Sequence, residues 1–89
     1  MTIYLQYEFI NRKDINSKKL KKMVKSAFAP LPVKFSKVHL IIDKFDLFSV
    51  EINAICDEGE FRYDVEDREL LTAAKKCIDG ITENFSISI

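Results

Sequence analysis

Glycine is nearly missing from these 89 residues: Gly59 and Gly80 are the only two. Phosphate-cradling and dinucleotide-binding loops need several glycines within a few residues, so both are excluded. Proline is equally scarce, at Pro30 and Pro32, and tryptophan is absent. One histidine, His39, and two cysteines, Cys56 and Cys77, leave no CxxC, HExxH or histidine cluster, hence no transition-metal ligand set. Both cysteines fall on apolar stripes and read as small buried hydrophobes in a reducing compartment. No apolar run approaches the roughly 18 residues of a membrane span. Residues 1–8 alternate like a strand and carry no basic leader region, so no signal peptide is expected and the expected location is cytoplasmic. Asp57-Glu58-Gly59-Glu60 has the spacing of a tight hairpin, not of a calcium loop. No pair of carboxylates sits in apolar surroundings that would raise a pKa for acid–base work. The expectation is therefore a protein that is not an enzyme and uses no metal and no cofactor.

What is present is a globular composition. Apolar residues make up 47% of the chain, seven of them Phe, enough to build one domain over residues 1–89. Residues 2–10 alternate, with Ile3, Leu5, Tyr7 and Phe9 on the inner side, and predict a half-buried strand. Asn16 or Ser17 can then cap a helix, with Ile15 and Leu20 placed to close a hydrophobic staple. Leu20, Met23, Val24, Ala27 and Leu31 recur at helical spacing, and Pro30 and Pro32 end that run. Three further strands are predicted over residues 36–44, 48–56 and 61–65, joined by short turns. Asp67 is placed to cap a second helix whose stripe is Leu70, Leu71, Ala74, Cys77, Ile78, Ile81 and Phe85. The tail, residues 85–89, alternates and reads as a short extra strand or a frayed end. The order β-α-β-β-β-α gives an α+β two-layer sandwich: a four-stranded, mostly antiparallel sheet with two helices on one face. The other face is expected to show Tyr4, Gln6, Glu8, His39, Ile41, Asp43, Glu51, Asn53, Arg62 and Asp64 to water.

Charge supplies the functional signal. Lys and Arg total 14, as do Asp and Glu, so the net formal charge is zero. Residues 1–45 nevertheless hold 10 bases against 3 acids, and residues 46–89 hold 4 bases against 11 acids. Such a split points one half toward a polyanion. The densest basic stretch is Lys18-Lys19-Leu20-Lys21-Lys22-Met23-Val24-Lys25, on the first helix. Lys18, Lys21, Lys22 and Lys25 gather opposite its apolar stripe. Lys18 and Lys19 lie in the first turn, where the helix dipole disfavours cations. Lys18–Lys22 and Lys21–Lys25 are like charges at i,i+4 with no acid interleaved. A helix shaped only for stability would mix signs; an unpaired basic face is what phosphate contacts need. Lys75 and Lys76 extend the basic strip if the two helices lie side by side. Only Tyr4 is an aromatic on the open sheet face, so a base-stacking platform is not expected.

The chain resembles the ribosome hibernation-promoting factor and ribosome-associated inhibitor family in its short form. The element order matches over essentially all 89 residues. The most specific stretch is Gly59-Glu60-Phe61-Arg62-Tyr63-Asp64-Val65, leading into Glu69-Leu70-Leu71-Thr72-Ala73-Ala74-Lys75-Lys76-Cys77-Ile78-Asp79. It follows the family's strand after a Gly turn and its D-x-Y-A-A-I-D-x-x-x-D-K-L-like helix. Ala73 and Asp79 match, and Glu69 stands for the leading Asp. Leu71, Ala74, Lys75 and Gly80 depart from the pattern. The resemblance implies binding to the small ribosomal subunit, in the channel for messenger and transfer RNA, and inhibition of translation under stress. The contacts to rRNA would come from Lys18, Lys21, Lys22, Lys25, Lys75 and Lys76. The extra C-terminal domain by which long members dimerise ribosomes is not found in these residues, so that route is not expected. Two readings of the residues stand beside this one. A double-stranded-RNA-binding-like module is favoured by Lys75-Lys76. A protein-interaction module, with weak self-association, would use the acidic half against a basic partner or a neighbouring copy.

Overall fold

The computed structural model describes residues 1–11, 13 and 15–85; the alternating stretch 86–89 lies outside the described residues. The elements follow the expected order: β1 (Thr2–Glu8), α1 (Ser17–Phe28), β2 (Phe35–Lys44), β3 (Phe48–Cys56), β4 (Gly59–Asp67) and α2 (Leu70–Thr82), with a 3-10 turn over Glu83–Phe85. The strands form one open sheet in the order β1-β2-β3-β4. β1 is parallel to β2, because α1 carries the chain back between them, whereas β2–β3 and β3–β4 are antiparallel hairpins. The result is a mixed sheet in an α+β fold.

Strict alternation decides which face the helices cover. Val38, Leu40 and Ile42 on β2 and Val50, Ile52 and Ala54 on β3 are fully buried, and they pair across the central strands in register. Leu20, Val24 and Phe28 from α1 and Ala73, Ala74, Cys77, Ile78 and Ile81 from α2 close over them. Four phenyl rings tie the far end together. Phe28–Phe35, Phe35–Phe85 and Phe61–Phe85 meet edge to face at 5.0, 5.0 and 4.7 Å, joining α1, β2, β4 and the closing turn. Each such pair adds about 0.5–1.5 kcal/mol to simple burial.

Local signals account for the helix ends. Asn16 is the cap of α1, and its Oδ1 accepts from the Lys19 N–H at 3.1 Å. Ile15 and Leu20 are both buried in the same cluster, as a staple requires. α1 stops at Phe28, ahead of Pro30 and Pro32, so Leu31 packs on the core from the following loop and Phe28 supplies the last turn. Asp67 does not cap α2. It is the last residue of β4, and Glu69 occupies the cap position, its carboxylate accepting from the Thr72 hydroxyl and not from a helix N–H. Asp67 Oδ1 instead accepts from the Glu69 N–H at 3.1 Å, which shapes the turn before the helix. Leu71 is exposed, and Ala73 takes the buried place on α2.

Phe9 departs most from its expected place. β1 ends at Glu8, and Phe9 adopts φ 57°, the left-handed region that bulky residues seldom enter. That turn breaks the alternation, sends the phenyl ring out into solvent and lets Ile10 pack against the core instead.

Candidate nucleic-acid interface

α1 is amphipathic because Leu20, Val24 and Phe28 recur at i, i+4 and i+8 and fix which side faces the sheet. That orientation leaves Lys18, Lys19, Lys21, Lys22 and Lys25 exposed. The helix contains no acidic residue, and none of these lysines makes an ion pair with any other described residue. Their charge therefore faces water without a partner.

α2 packs against the side of α1, so Lys75 and Lys76 belong to the same layer, and both are exposed. They are not equivalent. Lys76 Nζ donates to Asp67 Oδ2 at 2.8 Å, across the turn between β4 and α2. This bond, reinforced by the Glu69 N–H, holds the Asp67 carboxyl below the usual carboxylate range. Lys76 is thus already matched by a carboxylate, whereas Lys75 meets none among the described residues. Spacing along the chain gave no hint of this pair, whose partners lie nine residues apart.

The structure adds Lys34 to the expected set. The loop after α1 folds back toward the start of β1, opening a groove of about 1060 Å³. Its apolar floor includes Ile3, Phe28, Leu31 and Val33, and Lys21, Lys22, Lys25 and Lys34 line it. Lys34 lies nine residues beyond Lys25 and outside any helical repeat; only the fold-back at Pro30–Pro32 brings it there.

The opposite face of the sheet is different in kind. In register, one row reads Tyr4–His39–Asn53–Arg62. Tyr4 and His39 meet edge on at 6.2 Å, and Lys37 Nζ lies 5.2 Å from the Tyr4 ring centroid. Asn53 is buried although it projects from this open face. The Arg62 Nε donates to its Oδ1 at 2.8 Å, and its own Nδ2 donates to Glu51 Oε2 at 3.0 Å. One tyrosine with a histidine beside it is no stacking platform for successive bases. Counting all its outward positions, this face carries Glu8, Asp43, Glu51, Glu60, Asp64 and Glu66 against Lys37 and Arg62. The helical layer carries seven lysines against Asp79 and, at the two ends of α2, Glu69 and Glu83. The charge split between the halves of the chain has become a split through the thickness of the sandwich.

Among the described residues no three His, Cys, Asp or Glu side chains converge as a metal site. Cys56 and Cys77 are both free and buried. Burial, with Asp64 and Glu51 nearby, pushes the Cys77 thiol up to about 12, and its Sγ–H donates to the Tyr63 carbonyl at 3.3 Å. Such a thiol is structural, not nucleophilic. No helix among the described residues is long and apolar enough to cross a membrane.

No family model matches the sequence, and no curated protein matches it in sequence. The fold, by contrast, is shared with solved structures. It superposes on the N-terminal domain of Thermus thermophilus Protein Y with a TM-score of 0.80 at 17% identity, covering 96% of each chain. It superposes on a ribosomal subunit interface protein from Coxiella burnetii with a TM-score of 0.73 at 11% identity, covering 96% of this chain and 93% of that one. The resemblance read from the order of elements and the Gly59–Asp79 stretch holds at the level of the fold.

Proposed function

We propose that this chain is a non-enzymatic ribosome-binding factor of the hibernation type, residues 1–89 forming a single ribosome-associated-inhibitor-like domain that acts in the cytoplasm. It binds the small subunit through rRNA, and its presence in the channel for messenger and transfer RNA blocks translation under stress. The observation that carries this reading is the unpaired lysine face of α1, Lys18, Lys21, Lys22 and Lys25, on a fold shared with a Protein Y domain and a subunit interface protein. Lys75 extends that face on α2. Lys34 extends it along the groove. Lys76 contributes less, because an incoming phosphate must compete with Asp67 for it.

The chemistry required is modest. Each lysine ammonium replaces condensed counterions on the RNA backbone, so binding is driven largely by ion release and weakens steeply with salt. Sequence-specific base readout is not needed, because the folded rRNA presents its phosphates in a fixed shape. The acidic sheet face would be repelled by the same backbone, which orients the domain with its helices toward the RNA. The test is sedimentation of the protein with purified ribosomal subunits. It should travel with the small subunit and be displaced when messenger and initiator transfer RNA are added together. Comigration with the large subunit alone, or indifference to those competitors, would overturn the reading.

A further inference from the structure

The uncovered face of the sheet has a feature that RNA binding by the helices does not use. Its half nearest the ends of β1 and β4 consists of two cross-strand rows, Gln6–Ile41–Glu51–Asp64 and Glu8–Asp43–Ser49–Glu66. Those rows hold five carboxylates and no cation. Arg62, in the next row, reaches Glu51 at 3.9 Å and stays with Asn53. Lys44, the chain neighbour of Asp43, falls on the helix side of the alternation, its Nζ lying 4.7 Å from the Phe48 ring centroid.

Immediately beyond Glu8 and Asp43 stand two solvent-facing aromatic rings. Phe9 is 74% exposed and Phe45 is 72% exposed, and their centroids lie 5.0 Å apart. Leu47, in the same turn as Phe45, is also exposed. A phenyl ring this exposed contributes little to stability, and Phe9 is held there by a backbone conformation that sterics disfavour for its size. A small aromatic centre bordered by charge of one sign is the anatomy of a protein-binding hot spot.

We propose that this end of the open sheet docks a Lys/Arg-rich polypeptide segment of another protein. An apolar side chain of that segment seats on the Phe9–Phe45 pair, and its cations lie along Glu8, Asp43 and their neighbours. Nucleic acid is the wrong occupant, because five carboxylates repel its phosphates. A second copy of this chain, offering its own α1, is the competing occupant. The surface lies on the other side of the sandwich from the lysine face, so its failure and the failure of the rRNA reading are separable.

The test uses the full chain and two short fluorescein-labelled peptides. One is Lys/Arg-rich with two leucines; the other has serines in place of the leucines. Fluorescence anisotropy should show the leucine peptide binding about tenfold tighter than its twin. The double variant Phe9→Ser with Phe45→Ser should erase that difference. Glu8→Gln with Asp43→Asn should weaken both peptides and flatten their salt dependence. Lys21→Gln with Lys22→Gln should change neither. In a ¹⁵N-labelled sample, amide shifts should cluster at residues 8–11, 43–47 and 64–66. Phe9→Gly keeps the chain folded and should raise Tm, since glycine accepts the left-handed φ, while lowering affinity for the leucine peptide. Shifts confined to the helices, or unchanged affinity in the double Ser variant, would overturn the proposal. So would self-association in sedimentation that the double Ser variant abolishes, since the occupant would then be a second copy.

Discussion

Replacing Lys18, Lys21, Lys22 and Lys25 together by Gln should make the protein more stable, although nothing in the core changes. α1 holds five lysines and no acid. Five like-charge pairs at i,i+3 or i,i+4 vanish in this variant: Lys18–Lys21, Lys18–Lys22, Lys19–Lys22, Lys21–Lys25 and Lys22–Lys25. Each costs roughly 0.2–0.5 kcal/mol on an exposed helix surface. The helix dipole contributes little to the balance. Lys18 opposes it in the first turn and Lys25 favours it in the last, each by roughly 0.3–1 kcal/mol. Gln and Lys have nearly equal helix propensity. The net gain is therefore about 1–2 kcal/mol at low salt. For a domain of this size, each kcal/mol corresponds to roughly 4–8 °C in Tm. Thermal and urea unfolding followed by circular dichroism would measure it. The gain should shrink as ionic strength rises and the Debye length falls to about 10 Å at 0.1 M. A loss of stability, or a gain that salt leaves untouched, would mean that α1 carries no unrelieved repulsion.

Three other substitutions test the packing and the titrating groups. A methyl at Gly80 would collide with the Tyr63 ring, at Cε1, Cζ and Cδ1. Gly80→Ala gains about 1 kcal/mol of helix propensity but incurs roughly 1–3 kcal/mol of overpacking. It should therefore destabilise the native protein and stabilise a Tyr63→Ala background, and the same sign in both backgrounds would refute the contact. The Cys77 thiol, raised to about 12 by burial, keeps its proton in the folded state. Its stabilising contribution is complete below the unfolded thiol's pKa, about 8.5, and is lost as pH rises toward the folded value. Stability of the native protein should therefore fall more steeply with alkali than that of Cys77→Ala, and a thiol reagent should reach Cys77 only at the rate of unfolding. Asp67, lowered by Lys76 and the Glu69 N–H, works in the other direction. Its contribution is present above the ordinary carboxylate range and lost as pH falls through the depressed value, so Asp67→Asn should show a shallower acid loss in a pH series of unfolding curves.

Alternation and helical spacing carry most of the architecture. Each central strand has a single apolar face, as with Val38, Leu40 and Ile42, and two helices must bury one stripe each, so the layers and the element order follow. The lysine face was legible for the same reason: once Leu20 and Val24 point inward, Lys18, Lys21, Lys22 and Lys25 point outward. The rest depends on long-range geometry or on one backbone angle. Periodicity alone put Phe9 inside, and a left-handed φ puts it outside. Helical spacing assigns Lys76 to the basic strip, but the β4–α2 turn brings it to Asp67. Lys34 joins the basic groove only through the fold-back after α1. Asn53 is polar on an open face, yet Glu51, two residues back on its own strand, and Arg62, which only the strand register brings opposite, lean over it.

If the lysine face of α1 meets the phosphates of the small subunit, as proposed, then the affinity for small subunits depends steeply on salt. With four phosphate contacts from Lys18, Lys21, Lys22 and Lys25, log affinity should fall against log salt with a slope of about −3 from these side chains. The quadruple Gln variant should lose that part of the slope along with most of its affinity at low salt. A native protein that binds small subunits with no salt dependence, or a Gln variant whose slope and affinity match the native protein, would mean that α1 does not meet the RNA.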